Sequence, residues 1–311
     1  MKAPPRIAIL LATFNGRTWI EEQLASIFAQ RQVEWTLLIA DDGSTDGTRE
    51  YLEALATERD DIVLLPPAPP SGSSAANFSR LLRNVDLDRF DYFALADQDD
   101  IWLPDKLARA CMLLRRKLVE GYSASVEALF SDGRRSMVSK ASPQHRHDHY
   151  FESPGPGCSF VMSRRLMEQL VPVLDAIASS SSRLFAYHDW FIYAFARRAG
   201  FRWHIDPTPM MLYRQHDNNV LGANIGLLPR LRRMKRIRSG WYFDEVRWQY
   251  ETLEALDALM PAGKTTLEPG LMNIAGLTAR LRFCLNVVPQ ARRRLRDRLW
   301  LWVGVVSGVM R

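Results

Sequence analysis

Three carboxylates fall within four residues at Asp97-Gln98-Asp99-Asp100, directly after the apolar run Tyr92 to Ala96 and before Ile101-Trp102-Leu103-Pro104. Like charges this close repel one another, and burying them without a partner is costly. A divalent cation removes both objections. Hard carboxylate oxygens with few thiols or imidazoles nearby suit Mg²⁺ or Mn²⁺. The plainer reading is a solvated acidic turn. A second acidic segment, Asp41-Asp42-Gly43-Ser44-Thr45-Asp46-Gly47-Thr48, follows the apolar run Trp35 to Ala40 about 55 residues earlier. One acid of that segment can accept a hydrogen bond from a base edge or a ribose hydroxyl, while the later cluster holds a metal on a diphosphate. The two describe a nucleotide-diphosphate site without a phosphate loop, because the chain has neither G-x-G-x-x-G nor G-x-x-x-x-G-K-[ST].

Both segments need strands to carry them. Arg6 to Ala12, Trp35 to Ala40, Asp61 to Leu65 and Tyr92 to Ala96 are short apolar runs of strand length. Between them lie helical patterns at Trp19 to Gln30, around Tyr51, Leu52 and Leu55, and at Asn77 to Val85, with Thr45 or Asp46 as N-cap of the second. A further helix is expected from Pro104 to about Val119. Alternating strands and helices predict a mostly parallel sheet flanked by helices, and such sheets bind ligands at the carboxyl ends of their strands. Beyond it the pattern gives a strand at Ala128 to Asp132 and a polar loop at Arg134 to Tyr150. Helices at Arg164 to Ile177 and His188 to Arg198 follow, then short strands at Phe201 to Ile205 and Met210 to Tyr213. His145-Arg146-His147-Asp148-His149 looks like a ligand cluster but reads better as a solvated or acceptor-facing loop.

The chain has 311 residues, 47% hydrophobic and 24% charged, which allows a sizeable core. Its net charge of +6 is concentrated late. Leu227 to Gly240 holds six Lys or Arg and no acid, and Ala291 to Arg311 holds six Arg against Asp297 alone. These basic residues interleave with Leu, Met and Trp, which suits an anionic membrane surface better than nucleic acid. The other possibility is a solvated face of a packed helix. The longest mainly apolar run, Leu299 to Met310, is 12 residues and too short to span a bilayer. Three widely spaced cysteines and the absence of a signal-peptide pattern predict a reducing, cytoplasmic setting. The expected division is residues 1–226 as the nucleotide-binding domain and 227–311 as a basic helical extension.

The N-terminal half resembles the family-2 glycosyltransferases. Leu11-Ala12-Thr13-Phe14-Asn15-Gly16 is similar to the family's opening motif, with Ala12 where proline is usual. Asp41 to Thr48 matches its DDGSTDGT motif, and Asp97-Gln98-Asp99 its D-x-D position. The stretches Ala96 to Trp102, His188 to Trp190 and Tyr213 to Asn219 look most like bacterial rhamnosyltransferase-type members.

The resemblance implies a GT-A-like α/β fold and assigns roles. Ala12, Thr13 and Phe14 would line the base pocket, and Asp42 beside Asp41 would read the donor base. Asp99 would hold the metal, and Asp97 would face the ribose or the metal. Asp189 falls where the family places its catalytic base, with His188 in place of the usual glutamate. In the late polar turn, His216 would join the metal and Arg214 would supply fixed positive charge to the diphosphate; the plainer reading makes them surface and turn residues.

The implied activity is a metal-dependent, inverting transfer of a sugar from a nucleotide-diphosphate donor, such as rhamnose from dTDP-rhamnose. The acceptor would be lipid-linked or a glycan, in bacterial cell-surface glycan synthesis. The enzyme would sit peripherally on the inner face of the cell membrane. Two rivals remain. A sugar nucleotidyltransferase would want a Gly-rich N-terminal loop, and Leu10 to Gly16 offers Gly16 alone. A non-catalytic nucleotide-sugar binder would not need both Asp99 and Asp189.

Overall fold

Strand β1 (Arg6–Thr13) reads RIAILLAT, and every residue after the first is buried. Such a continuous apolar run belongs to a parallel strand covered on both faces. In the computed structural model, which describes residues 3–180, 183–216, 239–260, 270, 272 and 274–310, β1 lies inside a seven-stranded sheet. It pairs in parallel with β2 (Glu34–Asp41) on one side and β4 (Tyr92–Asp97) on the other. Strand β3 (Ile62–Leu64) continues beyond β2. On the β4 side come β9 (Val161–Ser163), β6 (Gly121–Ala124) and β10 (Trp203–Asp206), with β9 antiparallel to both neighbours. Helices α1 (Ile20–Phe28), α2 (Thr48–Glu58), α3 (Ser74–Asn84) and α4 (Lys106–Lys117) alternate with these strands, and α5 (Arg164–Ser180) follows β9.

The strand order decides where a ligand can sit. The chain runs from β1 outward through β2 and β3, then returns to place β4 on the other side of β1. The carboxyl ends of β1 and β4 therefore form a topological switch point, where a crevice opens. Register sharpens this: Thr13 pairs with Asp41, and Ala12 pairs with Asp97. Both acidic segments are thus one strand removed from the same turn.

A second, four-stranded sheet joins β5 (Ile101–Trp102), β11 (Met211–Arg214), β7 (Val126–Leu129) and β8 (Arg135–Val138) in that order. Its two-residue strand β5 pairs Trp102 with Met211 and Ile101 with Leu212. This pairing carries the late segment ending at His216 to the turn after β4. The pairing extends to the Leu103 amide, which donates to the Met210 carbonyl, and α4 begins at Lys106 rather than Pro104. The second helix begins at Thr48, after Gly47 in a left-handed conformation, with Asp46 Oδ1 accepting from the Thr48 amide.

The chain separates into two compact units. The first comprises 1–141, 154–189 and 201–219, and the second 142–153, 190–200 and 220–311; the division falls inside α6 (His188–Arg198). The polar stretch expected as a loop at Arg134 to Tyr150 instead contributes β8 to the first unit and a buried turn to the second. His147, Asp148 and His149 are all buried, which corrects the expectation of a solvated loop. The reason is charge pairing at long sequence range. Asp148 meets the guanidinium groups of Arg197 and Arg293, each at 3.3 Å, and accepts from the Tyr193 hydroxyl. Burial holds His147 down at about 4 and His149 well below the usual imidazole value, so both are neutral. Among the described residues, this unit also contains helices α7 (Trp241–Ala255), α8 (Leu277–Asn286), α9 (Val288–Ala291) and α10 (Leu295–Val306). Most of the basic stretch Leu227 to Gly240, and Asp217 to Asn219, lie outside the described residues.

Candidate active site

The turn after β1 and the turn after β2 are laced together by their own polar atoms. The Asn15 amide donates to Ser44 Oγ, and Asn15 Oδ1 accepts from the Thr45 amide, both at 2.8 Å. The Gly16 amide donates to Thr48 Oγ1 and the Arg17 amide to Asp46 Oδ2, both at 2.9 Å. Asp41 is buried and accepts from Thr13 Oγ1, the Ser44 amide and Ser44 Oγ. Its oxygens are engaged inside the turn, so Asp41 holds the site's shape. Asp42 accepts from the amides of Ser71 and Gly72 at 2.7 and 3.0 Å, which draws the loop before α3 to the strand end. Asn77 ties α3 to the same place, donating from Nδ2 to the carbonyls of Ala40 and Thr13. Ala12 and Thr13 are buried, whereas Phe14 is 55% exposed and presents a ring at the crevice edge.

Gln98, the middle residue of the acidic cluster, closes the third side. Its Oε1 accepts from the Phe14 amide and its Nε2 donates to the Phe14 carbonyl, both at 2.8 Å. Gly16 permits this, because a Cβ there would stand 2.2 Å from Gln98 Oε1. The three motif turns are therefore one hydrogen-bonded assembly.

Within the acidic cluster the carboxylates divide. Asp99 Oδ2 stands 2.6 Å from His216 Nε2, and Arg214 Nε donates to the Asp99 carbonyl at 2.9 Å. Arg214 also pairs with Glu22 of α1. The His216 ring stacks on Trp19, with centroids 4.2 Å apart and planes inclined by 12°. Asp97, Asp100 and Cys158 form another group, their potential ligand atoms all within 4.8 Å of one another. Asp100 and Cys158 are fully buried, and neither Asp100 oxygen has a hydrogen-bond partner among the described residues. Burial, reinforced by Asp99 and Asp97, pushes the Asp100 carboxyl well above the carboxylate range. Burial likewise raises the Cys158 thiol, which stays protonated and is a poor ligand for a hard cation. Lys106 lies beside them, its ammonium 3.4 Å from the centre of the Trp102 ring, with burial lowering it to about 7. Asp100, Cys158 and Lys106 are the buried side of the cluster, Asp99 is nearly buried, and Asp97 and His216 are half-buried at its outer side. Carboxylate oxygens are hard ligands that suit Mg²⁺ or Mn²⁺. Asp99 and His216, which converge at 2.6 Å, would offer such a cation a carboxylate oxygen and an imidazole nitrogen.

Asp189 occupies the first turn of α6, where the positive helix end favours a carboxylate. It is close enough to Asp97 for its charge to count: burial, then Asp99, then Asp189 raise Asp97 to about 7. His188 is packed between Phe78, at 4.0 Å between ring centroids, and Gly157, where a Cβ would meet its Nε2 at 2.2 Å. Burial lowers it to about 3, so it is neutral.

The structure thus brings Asp41, Asp42, Asp97, Asp99, Arg214 and His216 to one strand-end region, with Phe14 on its rim. Sequence reasoning missed Gln98, Trp19, Glu22 and Lys106. Gln98 is hidden as the variable middle position of a motif, and Trp19 reads as an ordinary apolar residue opening a helix. Nothing local signals the other two.

A metal-compatible acidic strand end at the switch point of a mostly parallel, helix-flanked sheet defines a GT-A-like nucleotide-sugar transferase architecture. Residues 8–169 match the profile of Glycosyl transferase family 2. The chain is 40% identical over 237 residues to the dTDP-rhamnosyl transferase RfbG of Shigella flexneri, covering 76% of this chain and 82% of that protein. Its fold resembles S. aureus TarS 1-349 in complex with UDP-GlcNAc, with a TM-score of 0.58 at 13% identity, covering 98% of this chain and 80% of that one. It also resembles the mannosyltransferase PcManGT of Pyrobaculum calidifontis in complex with GDP-Man and Mn²⁺, with a TM-score of 0.52 at 16% identity, covering 98% and 86%. The chain belongs to glycosyltransferase family 2, which sets aside the nucleotidyltransferase and the non-catalytic binder.

Proposed function

We propose that the protein transfers rhamnose from dTDP-rhamnose, with inversion, to a hydroxyl of a lipid-linked or glycan acceptor in bacterial cell-surface glycan synthesis. The observation that carries this reading is the register that sets Thr13 opposite Asp41 and Ala12 opposite Asp97, so that a base site and an acidic diphosphate site share one crevice. Likeness to the Shigella flexneri dTDP-rhamnosyl transferase over 82% of its length supports the donor.

In this reading Phe14 stacks on the thymine, above Ala12 and Thr13. Asp42 and the Ser71–Gly72 amides it binds face the base edge, while Asp41 keeps their turn in shape. Asp99 and His216 hold Mg²⁺ or Mn²⁺, and Asp97 faces the metal or the ribose. That cation, when bound, supplies positive charge to the departing diphosphate. Arg214 adds a fixed charge that needs no proton. Asp189 accepts the proton of the acceptor hydroxyl as its oxygen bonds to the anomeric carbon. The bond from that carbon to the diphosphate oxygen breaks on the opposite face, so dTDP leaves and the configuration inverts. Asp189→Asn should lower kcat by 10²- to 10⁴-fold, the usual worth of a general base, with dTDP-rhamnose affinity unchanged by calorimetry. Lost donor affinity with kcat intact would refute the base assignment. Binding of UDP-glucose in preference to dTDP-rhamnose, both with Mn²⁺, would refute the donor.

The same reading places the enzyme on an anionic membrane surface. Helix α10 buries Leu301, Gly304 and Val305 yet leaves Leu295, Leu299, Trp300, Trp302 and Val303 exposed, and α8 exposes Leu277, Leu281 and Leu285. Arg294 and Arg296 are exposed beside them. An apolar face with Trp and flanking Arg is what an interfacial helix presents to anionic lipid. No helix among the described residues is long and apolar enough to cross a membrane.

A further inference from the structure

Trp19 has no assigned role, and its surroundings suggest one. It immediately precedes α1, with its amide bonded to the Gly16 carbonyl, so its backbone belongs to the laced turn assembly. Its indole lies face to face with the His216 imidazole at 4.2 Å and 12°. One turn further along α1, Glu22 pairs with Arg214, and Arg214 Nε holds the Asp99 carbonyl. The late segment is thus gripped by two side chains of the same helix start, one on each side of Gln215. An imidazole can rotate about its bond to Cβ. A flat surface against one face restricts that rotation and so sets the direction of the ring edge. Here the edge points Nε2 at Asp99 Oδ2, 2.6 Å away.

We propose that Trp19 is a positioning residue for the metal site, a platform that fixes the His216 ring plane so that Nε2 and Asp99 Oδ2 converge. This inference rests on the reading of Asp99 and His216 as metal ligands. Outer partners that orient a ligating imidazole typically change metal affinity by 10- to 100-fold when removed.

The test measures Mn²⁺ affinity in the presence of dTDP, by electron paramagnetic resonance of free Mn²⁺, on the full chain. Trp19→Ala should weaken Mn²⁺ binding about 10-fold. Trp19→Phe, which keeps an aromatic face, should restore most of it. Trp19→Leu, which fills the space without a π face, should behave like the alanine variant and replaces it if that variant does not fold. dTDP affinity without metal should not change in any of them. Wild-type Mn²⁺ affinity in Trp19→Leu would overturn the proposal, as would equal losses in the Phe and Leu variants. His216→Ala separates the two levels. If it leaves Mn²⁺ affinity unchanged, the metal reading itself fails; if it abolishes binding while Trp19→Leu does not weaken it, only the platform fails.

Discussion

Replacing Arg293 by Met should be among the most destabilising single changes in the second unit. Arg293 is 4% exposed and meets Asp148 at 3.3 Å and Glu152 at 3.2 Å, and it donates to the Ser153 carbonyl at 2.6 Å. At an effective dielectric of about 20, a unit charge pair at 3.3 Å is worth about 5 kcal/mol before desolvation. Much of that is offset by the cost of drying both ions. Removal of one partner is not so offset, because the survivor stays buried, and such breaks cost about 3–5 kcal/mol. Asp148 would retain Arg197 and the Tyr193 hydroxyl, which argues for the lower end, about 3 kcal/mol. Urea unfolding at neutral pH, followed by far-UV circular dichroism, reads this as a fall in the midpoint of the transition. Asp148→Asn and the double variant complete a cycle, in which the pair should couple by about 1–3 kcal/mol. A loss below about 1 kcal/mol in Arg293→Met, with no coupling to Asp148, would refute the argument that this buried cluster holds the unit together.

His188 predicts an acid-sensitive first unit. Its folded value of about 3 lies below its ordinary 6.5, so between those values the unfolded chain binds the extra proton. Its contribution is therefore fully present above pH 6.5 and is lost as pH falls, by about 2 kcal/mol at pH 5. His188→Phe should flatten the stability profile between pH 7 and 5 by that amount in urea titrations; an unchanged slope would show that His188 is not held neutral. On the membrane face, Leu299→Ser with Trp300→Ser should remove about 3 kcal/mol of apolar transfer, weakening partition to phosphatidylglycerol-containing vesicles about 100-fold in a flotation assay. Undiminished flotation, or a loss of self-association in place of lipid binding, would overturn the membrane assignment.

What could be read from the chain in advance was what is encoded locally. The Asp41 to Thr48 turn is legible because Asp41, Ser44, Asp46 and Thr48 each accept from a backbone amide within the segment or in the turn after β1. Helix α6 was legible to the residue, from His188 to Arg198, because acid opens it and two arginines close it. The buried histidine turn was not legible. Its polarity reads as solvent exposure until Arg197 and Arg293 are known to stand beside Asp148, and the second is 145 residues away. The two-residue strand β5 had too little pattern to detect, yet its pairing with β11 delivers His216 to Asp99. The strand ends that present the site were thus readable, whereas the residues that complete it from a distance were not.

The C-terminal arginines illustrate the same limit and change how the tail must be tested. Counted by composition, the six arginines between Ala291 and Arg311 are a single basic patch. The fold divides them. Arg292 donates to the Phe151 carbonyl and Arg293 enters the Asp148 cluster, so these two serve packing. Arg294 and Arg296 face outward beside exposed Leu295 and Leu299. Deleting residues from 291 onward would remove Arg293 from the buried ion cluster together with the surface helix. Lost vesicle binding in that deletion would follow from unfolding as readily as from a missing lipid contact. Only substitutions confined to the outward face of α10, with the Asp148 cluster intact, can distinguish a membrane-binding helix from a helix that is merely packed.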